Sequence, residues 1–127
     1  MQAAMADQVT LVEILEVEGS FEDARQLIQA CIARLEREGV RGLAAMHFYE
    51  DPAASELSAV ITFSNSTDVL AHTQMISSWD EFKRFASSIR VKDMRIHGRV
   101  SDEVRAWLDR FPGPRRLFEQ HLAGFSR

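Results

Sequence analysis

The chain has 127 residues, 46% of them hydrophobic and 27% charged, which suits one globular domain with a single core. Fifteen basic against nineteen acidic residues leave a net charge of -4. The basic residues are scattered, so no surface is built to neutralise phosphates and no nucleic-acid partner is expected. Cys31 is the lone cysteine, which rules out an internal disulfide and a cysteine metal framework. No apolar run approaches the roughly 18–20 residues that span a bilayer, so no membrane partner is expected. Met1–Asp7 lacks the basic and apolar regions of a signal peptide, and a cytoplasmic location follows as the expectation. Residues 1–7 are expected to be flexible and residues 8–127 to form one domain.

Val9–Val17 (VTLVEILEV) is rich in β-branched and aliphatic residues and reads as a strand, apolar on both faces. Glu18-Gly19 breaks it. Ser20 with Asp23 resembles an N-terminal cap, after which Phe21, Ala24, Leu27, Ile28, Cys31, Ile32 and Leu35 trace an amphipathic helix to about Glu38. Gly39 supplies the stop. Leu43–Tyr49 is a second strand, Glu50–Ser55 a turn and Glu56–Phe63 a third strand, and so short a connection predicts a hairpin.

Ser64–Ile89 combines helical periodicity with a histidine, a tryptophan and many small polar residues. Val69, Leu70, Thr73 and Ile76 (or Met75), then Trp79, Phe82, Phe85, Ala86 and Ile89, recur near helical spacing. Ser66-Thr67-Asp68 is a start signal, and Ser78 with Glu81 has the capping-box pattern inside the run. The prediction is a helix interrupted near Ser77-Ser78, carrying His72 and Trp79 over a sheet as one wall of a pocket. Lys92–Val100 is a fourth strand. Ser101-Asp102-Glu103 caps a short helix through Val104, Trp107 and Leu108, ended by Phe111–Pro114. Arg116–Leu122 is a candidate fifth strand, and Ala123–Arg127 a loose end or a partner contact.

The order β-α-β-β-α-β with an extra helix and strand is the ferredoxin-like split pattern, an α+β fold with both main helices on one sheet face. Strands apolar on both sides leave the second face in need of cover. A second copy of the chain is the expected cover, so a homodimer is predicted.

Strand parity sorts the side chains. One predicted face holds Val12, Ile14, Met46, Phe48, Val60, Met94 and Ile96. The other holds Leu11, Glu13, Leu15, Ala45, His47, Tyr49, Ala59, Ile61, Phe63, Arg95 and His97. On that reading Glu13 meets Arg95 or His97 across neighbouring strands. The pair is either a carboxylate that orients a general base or an ion pair satisfying a dimer face. Glu13, His47, Tyr49, Phe63, Arg95 and His97 are therefore the candidate ligand-binding residues. His47 and Glu13 have metal-ligand chemistry, but no close spacing supports a site, so no metal is expected. Trp79 either stacks on a flat ligand or belongs to the core, and Asn65 either donates to an oxyanion or is a turn residue before the helix. Trp107 reads as a packing anchor, and Cys31, with no adjacent base, not as a nucleophile.

The element order, with Ala71-His72 on the second helix, HGRVSDEV at 97–104 and the terminal LAGFSR, resembles the dimeric α+β-barrel proteins, and among them the antibiotic-biosynthesis-monooxygenase-like group. The resemblance implies a dimeric α+β barrel. It also implies cofactor-independent oxygenation of an aromatic or quinone-like molecule held between the sheet and the second helix. The substrate would be deprotonated to a carbanion that itself reduces oxygen. Such oxygenases use an Asn and a Trp near the second helix to position substrate and oxygen, for which Asn65 and Trp79 are the nearest matches, with His72 the candidate base. Haem-degrading members carry an Asn on the first strand and a His after the Trp. This chain has no Asn in 9–17, and its His72 precedes Trp79, so no haem or other cofactor is expected. The competing expectation is a non-catalytic dimeric binding or assembly module, in which Trp79, Phe82 and Phe63 fill the space between helix and sheet.

Overall fold

The computed structural model describes residues 7–40 and 42–127. Of the segment expected to be flexible, all but the exposed Asp7 lies outside the described residues. Strand β1 (Val9–Val17) is the middle of a five-stranded sheet, pairing antiparallel with β3 (Glu56–Phe63) on one side and β4 (Ile89–His97) on the other. β2 (Leu43–Asp51) forms the hairpin with β3 through a 3-10 turn at Pro52–Ala54. β5 (Arg115–Phe118) pairs parallel to β4, giving the order β2-β3-β1-β4-β5.

Helix α1 (Phe21–Glu38) starts and stops where the sequence says it should. Ser20 Oγ accepts from the Asp23 N–H at 3.1 Å. Gly39, at φ 65°, takes the left-handed conformation that ends the helix with least steric cost. The predicted interruption is a clean break into α2 (Ser66–Ile76) and α3 (Asp80–Ser87). Its capping differs from the expectation. Ser78 Oγ bonds back to the Met75 carbonyl at 3.1 Å, and the residue entering α3 is Trp79, whose side chain makes no capping bond. Likewise the cap of α2 is Asn65, not Ser66, which instead accepts from the Ser101 N–H at 2.8 Å and ties α2 to the start of α4 (Asp102–Leu108).

Strand β4 begins three residues before the predicted start and ends at His97 rather than Val100. Ile89 continues the helical stripe in sequence, but it pairs with Val17, and Val91 pairs with Leu15. Pairing along the central strand wins over local periodicity. Gly98 follows at φ 122°, where a Cβ would lie 2.4 Å from the Gln8 carbonyl oxygen, so the strand exit demands a glycine. The fifth strand is shorter than predicted, and no regular structure follows Phe118.

Pairing also overturns half of the predicted division of faces. Leu11 stands opposite Ile61 and Ile96, Glu13 opposite Ala59 and Met94, and Phe48 opposite Ala59. The helix-covered face therefore joins Leu11, Glu13, Leu15, Ala59, Ile61 and Phe63, as expected, with Met46, Phe48, Met94 and Ile96. Val12 and Val60 instead pair on the uncovered face with His47 and Arg95, and Thr10 faces His97. A strand's own sequence sets which residues alternate. Only the register between strands sets which alternate sets coincide, and a one-residue slip exchanges the faces. Bulges at Leu43/Ala45 and Ile14/Leu15 provide such slips here.

Two apolar cores form on the covered face. One gathers Leu11, Phe63, Met94 and Ile96 under Val69 of α2 and Val104 of α4. The other gathers Leu15, Val17 and Leu57 under Ala24 and Ile28 of α1 and Phe85 of α3. In β1 the residue between Leu11 and Leu15 on that face is Glu13.

Candidate functional site

Between the sheet and the helices lies a cavity of about 590 Å³. Its floor includes Leu11, Glu13, Leu15, Phe48, Phe63 and Met94; Ile28, Cys31 and Leu35 of α1 form one wall. His72 and Ile76 of α2, Trp79 at the entry to α3 and Phe82 of α3 form the roof, and Trp107 and Phe111 close one end. The break between α2 and α3 falls between His72 and Trp79, both of which line this space.

His72 is 6% exposed, and neither ring nitrogen has a hydrogen-bond partner among the described residues. Its ring meets Phe63 edge to face at 5.4 Å between centroids. Burial disfavours the imidazolium and lowers its pKa from the ordinary value, so the ring is neutral at neutral pH. Glu13 is the other titratable group at the heart of the cavity. It is enclosed by protein while the cavity leaves it partly open. Desolvation raises its pKa to about 7, with no cation or donor among the described residues acting to stabilise the carboxylate. Cys31 also lines the wall, and burial pushes its thiol up to about 11, which keeps it protonated and a poor nucleophile.

Trp79 is 5% exposed and borders the cavity, with the Arg34 guanidinium 4.2 Å from its ring centroid. Arg34 is itself held by Glu81 at 2.6 Å, so an ion pair between α1 and α3 clamps the indole in place. Trp79 is both core and wall. Trp107 is a packing residue at the cavity's end, edge-on to Phe111 at 4.8 Å.

Of the other predicted site residues, only Phe63 and Glu13 reach this cavity. Asn65 is exposed, and its Oδ1 accepts from the Asp68 N–H at 3.0 Å; it caps α2 and does not line the cavity. His47, Tyr49, Arg95 and His97 are exposed on the opposite sheet face, Tyr49 at 59%. The predicted meeting of Glu13 with Arg95 or His97 is overturned for the same reason: the sheet stands between them. Two strands separate His47 from His97 on that face. The sequence reading missed Phe48, Met94 and the pairing of Glu13 with His72 across one cavity. The available signal was the carboxylate itself, set in an aliphatic strand at the parity of Leu11 and Leu15.

No protein-family model matches the chain, and no curated protein matches it in sequence. Solved structures do. MupZ from Pseudomonas fluorescens is 16% identical over 95% of each chain, with a TM-score of 0.69. SnoaB, a cofactor-independent oxygenase from Streptomyces nogalater, is 10% identical over 76% of this chain and 96% of its own, with a TM-score of 0.62. The protein YjcS is 13% identical over 74% of this chain and 99% of its own, with a TM-score of 0.59. At such identities the likeness is one of fold: this chain shares the α+β, ferredoxin-like fold of these structures.

Proposed function

We propose that this protein is a cofactor-independent monooxygenase, working as a homodimer, that binds a small aromatic or quinone-like molecule between its sheet and α2–α3. The observation that carries the reading is His72, buried on the cavity roof with both nitrogens unpartnered. A buried polar group without a partner costs about 1–3 kcal/mol, and a ligand that engages it recovers that cost. The cavity supports the same reading, because about 590 Å³ lies within the range of small-molecule sites. The space that a purely structural module would fill with Trp79, Phe82 and Phe63 is instead bordered by them. The fold shared with SnoaB is a third support.

In this reading a flat substrate lies between the aromatic side chains of floor and roof. The neutral imidazole of His72 removes a proton from an activated carbon. The resulting carbanion passes an electron to molecular oxygen, and the radical pair combines to a peroxide. An apolar enclosure favours this sequence, because it excludes the water that would reprotonate the carbanion. Trp79, clamped by Arg34, presents a rigid aromatic surface against which the substrate is positioned. Asn65, tied up as a helix cap, takes no part.

The test is oxygen uptake by the purified protein across a panel of reduced quinols and anthrones. Uptake with at least one of them, falling at least 100-fold in His72→Ala, is the expected result. Absence of uptake across the panel would leave the binding or assembly module as the better account.

A further inference from the structure

The sequence of events assigned to His72 leaves a peroxide that must gain a proton before its O–O bond can break, and Glu13 is the other titratable group at the heart of the cavity. We propose that Glu13 is the acid partner of His72, a second catalytic residue that protonates the peroxide from the sheet side of the cavity. This rests on the oxygenase reading above. The geometry is that of two walls: His72 hangs from α2 in the roof, Glu13 rises from the centre of β1 in the floor, and the cavity lies between. Among the described residues neither has a partner that would claim its proton or lone pair. Burial acts on the two in opposite senses, keeping the imidazole unprotonated and the carboxyl protonated up to about pH 7. An acid and a base whose surroundings push them apart in this way form a division of labour.

The step balances. His72 takes the first proton of a substrate methylene, and the carbon joins oxygen as a peroxide anion. Glu13 protonates that anion to the hydroperoxide. The Glu13 carboxylate then removes the second methylene proton as the O–O bond breaks, leaving a carbonyl and hydroxide. Hydroxide takes the proton held on His72 and departs as water. One substrate and one molecule of oxygen give one ketone and one water, with both residues restored.

The remaining ionisable groups lining the cavity are Cys31 on α1, Glu18 just past β1 and Arg90 in β4. Glu18 and Arg90 are exposed, and Arg90 is paired with Glu16 at 2.7 Å. None of them competes with Glu13 for this role.

The experiment separates the two proton transfers, using anthrone as probe. Anaerobic exchange of its methylene hydrogens in deuterated water reads the His72 step alone, and aerobic anthraquinone formation reads the whole cycle. Glu13→Gln should keep exchange within about twofold of the parent and lose at least tenfold of product formation. Glu13→Asp should recover part of the product formation. The parent's product formation should decline as pH rises through about 7, and that decline should be absent in Glu13→Gln. Equal loss of exchange and product in Glu13→Gln would make Glu13 the base and overturn the proposal. Unchanged product formation would make Glu13 a bystander and also overturn it. A parent protein that neither exchanges nor oxidises anthrone or any quinol of the panel would instead remove the oxygenase reading itself.

Discussion

Glu13 sits among aliphatic and aromatic side chains at the centre of the sheet, and the cost of keeping it there depends on pH. Its pKa rises from 4.5 to about 7 on folding. Between those values the native state holds a proton that the unfolded chain has released, so stability falls as pH rises through the window and levels off above it. The full penalty is on the order of 3 kcal/mol at pH 8. Glu13→Gln removes the titration. Its stability relative to the parent should be higher at pH 8 than at pH 4 by that order, measured by denaturant unfolding at both values. An advantage equal at the two pH values would show that Glu13 is not desolvated. His72 acts in the opposite direction. Its lowered native pKa gives a contribution that is present above the ordinary value of 6.5 and is lost as pH falls. Both groups are held unpaired at a cost to stability, Glu13 as pH rises and His72 as pH falls.

At the scale of the element, the cavity roof is divided between α2 and α3, which are anchored differently. α2 is short, and its first turn depends on the Asn65 side chain, which satisfies one of the exposed amides there. Asn65→Ala should cost about 1 kcal/mol of stability. It should leave substrate turnover within about twofold of the parent, measured by thermal unfolding alongside oxygen uptake. A loss of turnover exceeding the loss of folded protein would restore Asn65 to the active site. α3 depends on different contacts: its entry lacks a side-chain cap, and Trp79 and Arg34 anchor it to α1.

In the molecule as a whole, among the described residues, helices α1–α4 shelter only one side of the sheet. Val12, Ile14 and Val60 lie half-buried at the middle of the other side, bordered by Thr10 and Thr62, whose hydroxyls meet at 3.1 Å, and by the exposed Tyr49. Arg95 and His47 flank Val12 and Val60, and the ion pairs Arg90–Glu16 and Lys92–Glu56 lie at one end, so polar groups border this apolar centre. A dry middle with a polar rim is how stable protein interfaces are built, and it is this face on which the proposed homodimer would pair. The parent should sediment as a dimer at micromolar concentration. Val60→Lys, which places a charge at the centre of the face, should give a monomer with an unchanged circular dichroism spectrum. A parent that sediments as a folded monomer would rule out the dimer.

Much of this architecture is local and therefore legible in the chain itself. Alternation and β-branching mark β1 and β3, Ser20 and Gly39 bracket α1, and Ser101 caps α4, because each depends on residues within a few positions of one another. The unusual carboxylate in an aliphatic strand is visible there too. What the tertiary structure decided is everything that depends on register. Partners far apart in sequence determine whether Ile89 ends a helix or begins a strand. They also place Met94 beside Glu13 while sending Arg95 to the far side of the sheet. A strand carries its own alternation but no record of its phase relative to its neighbours, and that phase is set only when the strands pair. The pairing gathered Glu13, His72 and Trp79 around one cavity and left His47, Tyr49, Arg95 and His97 outside it.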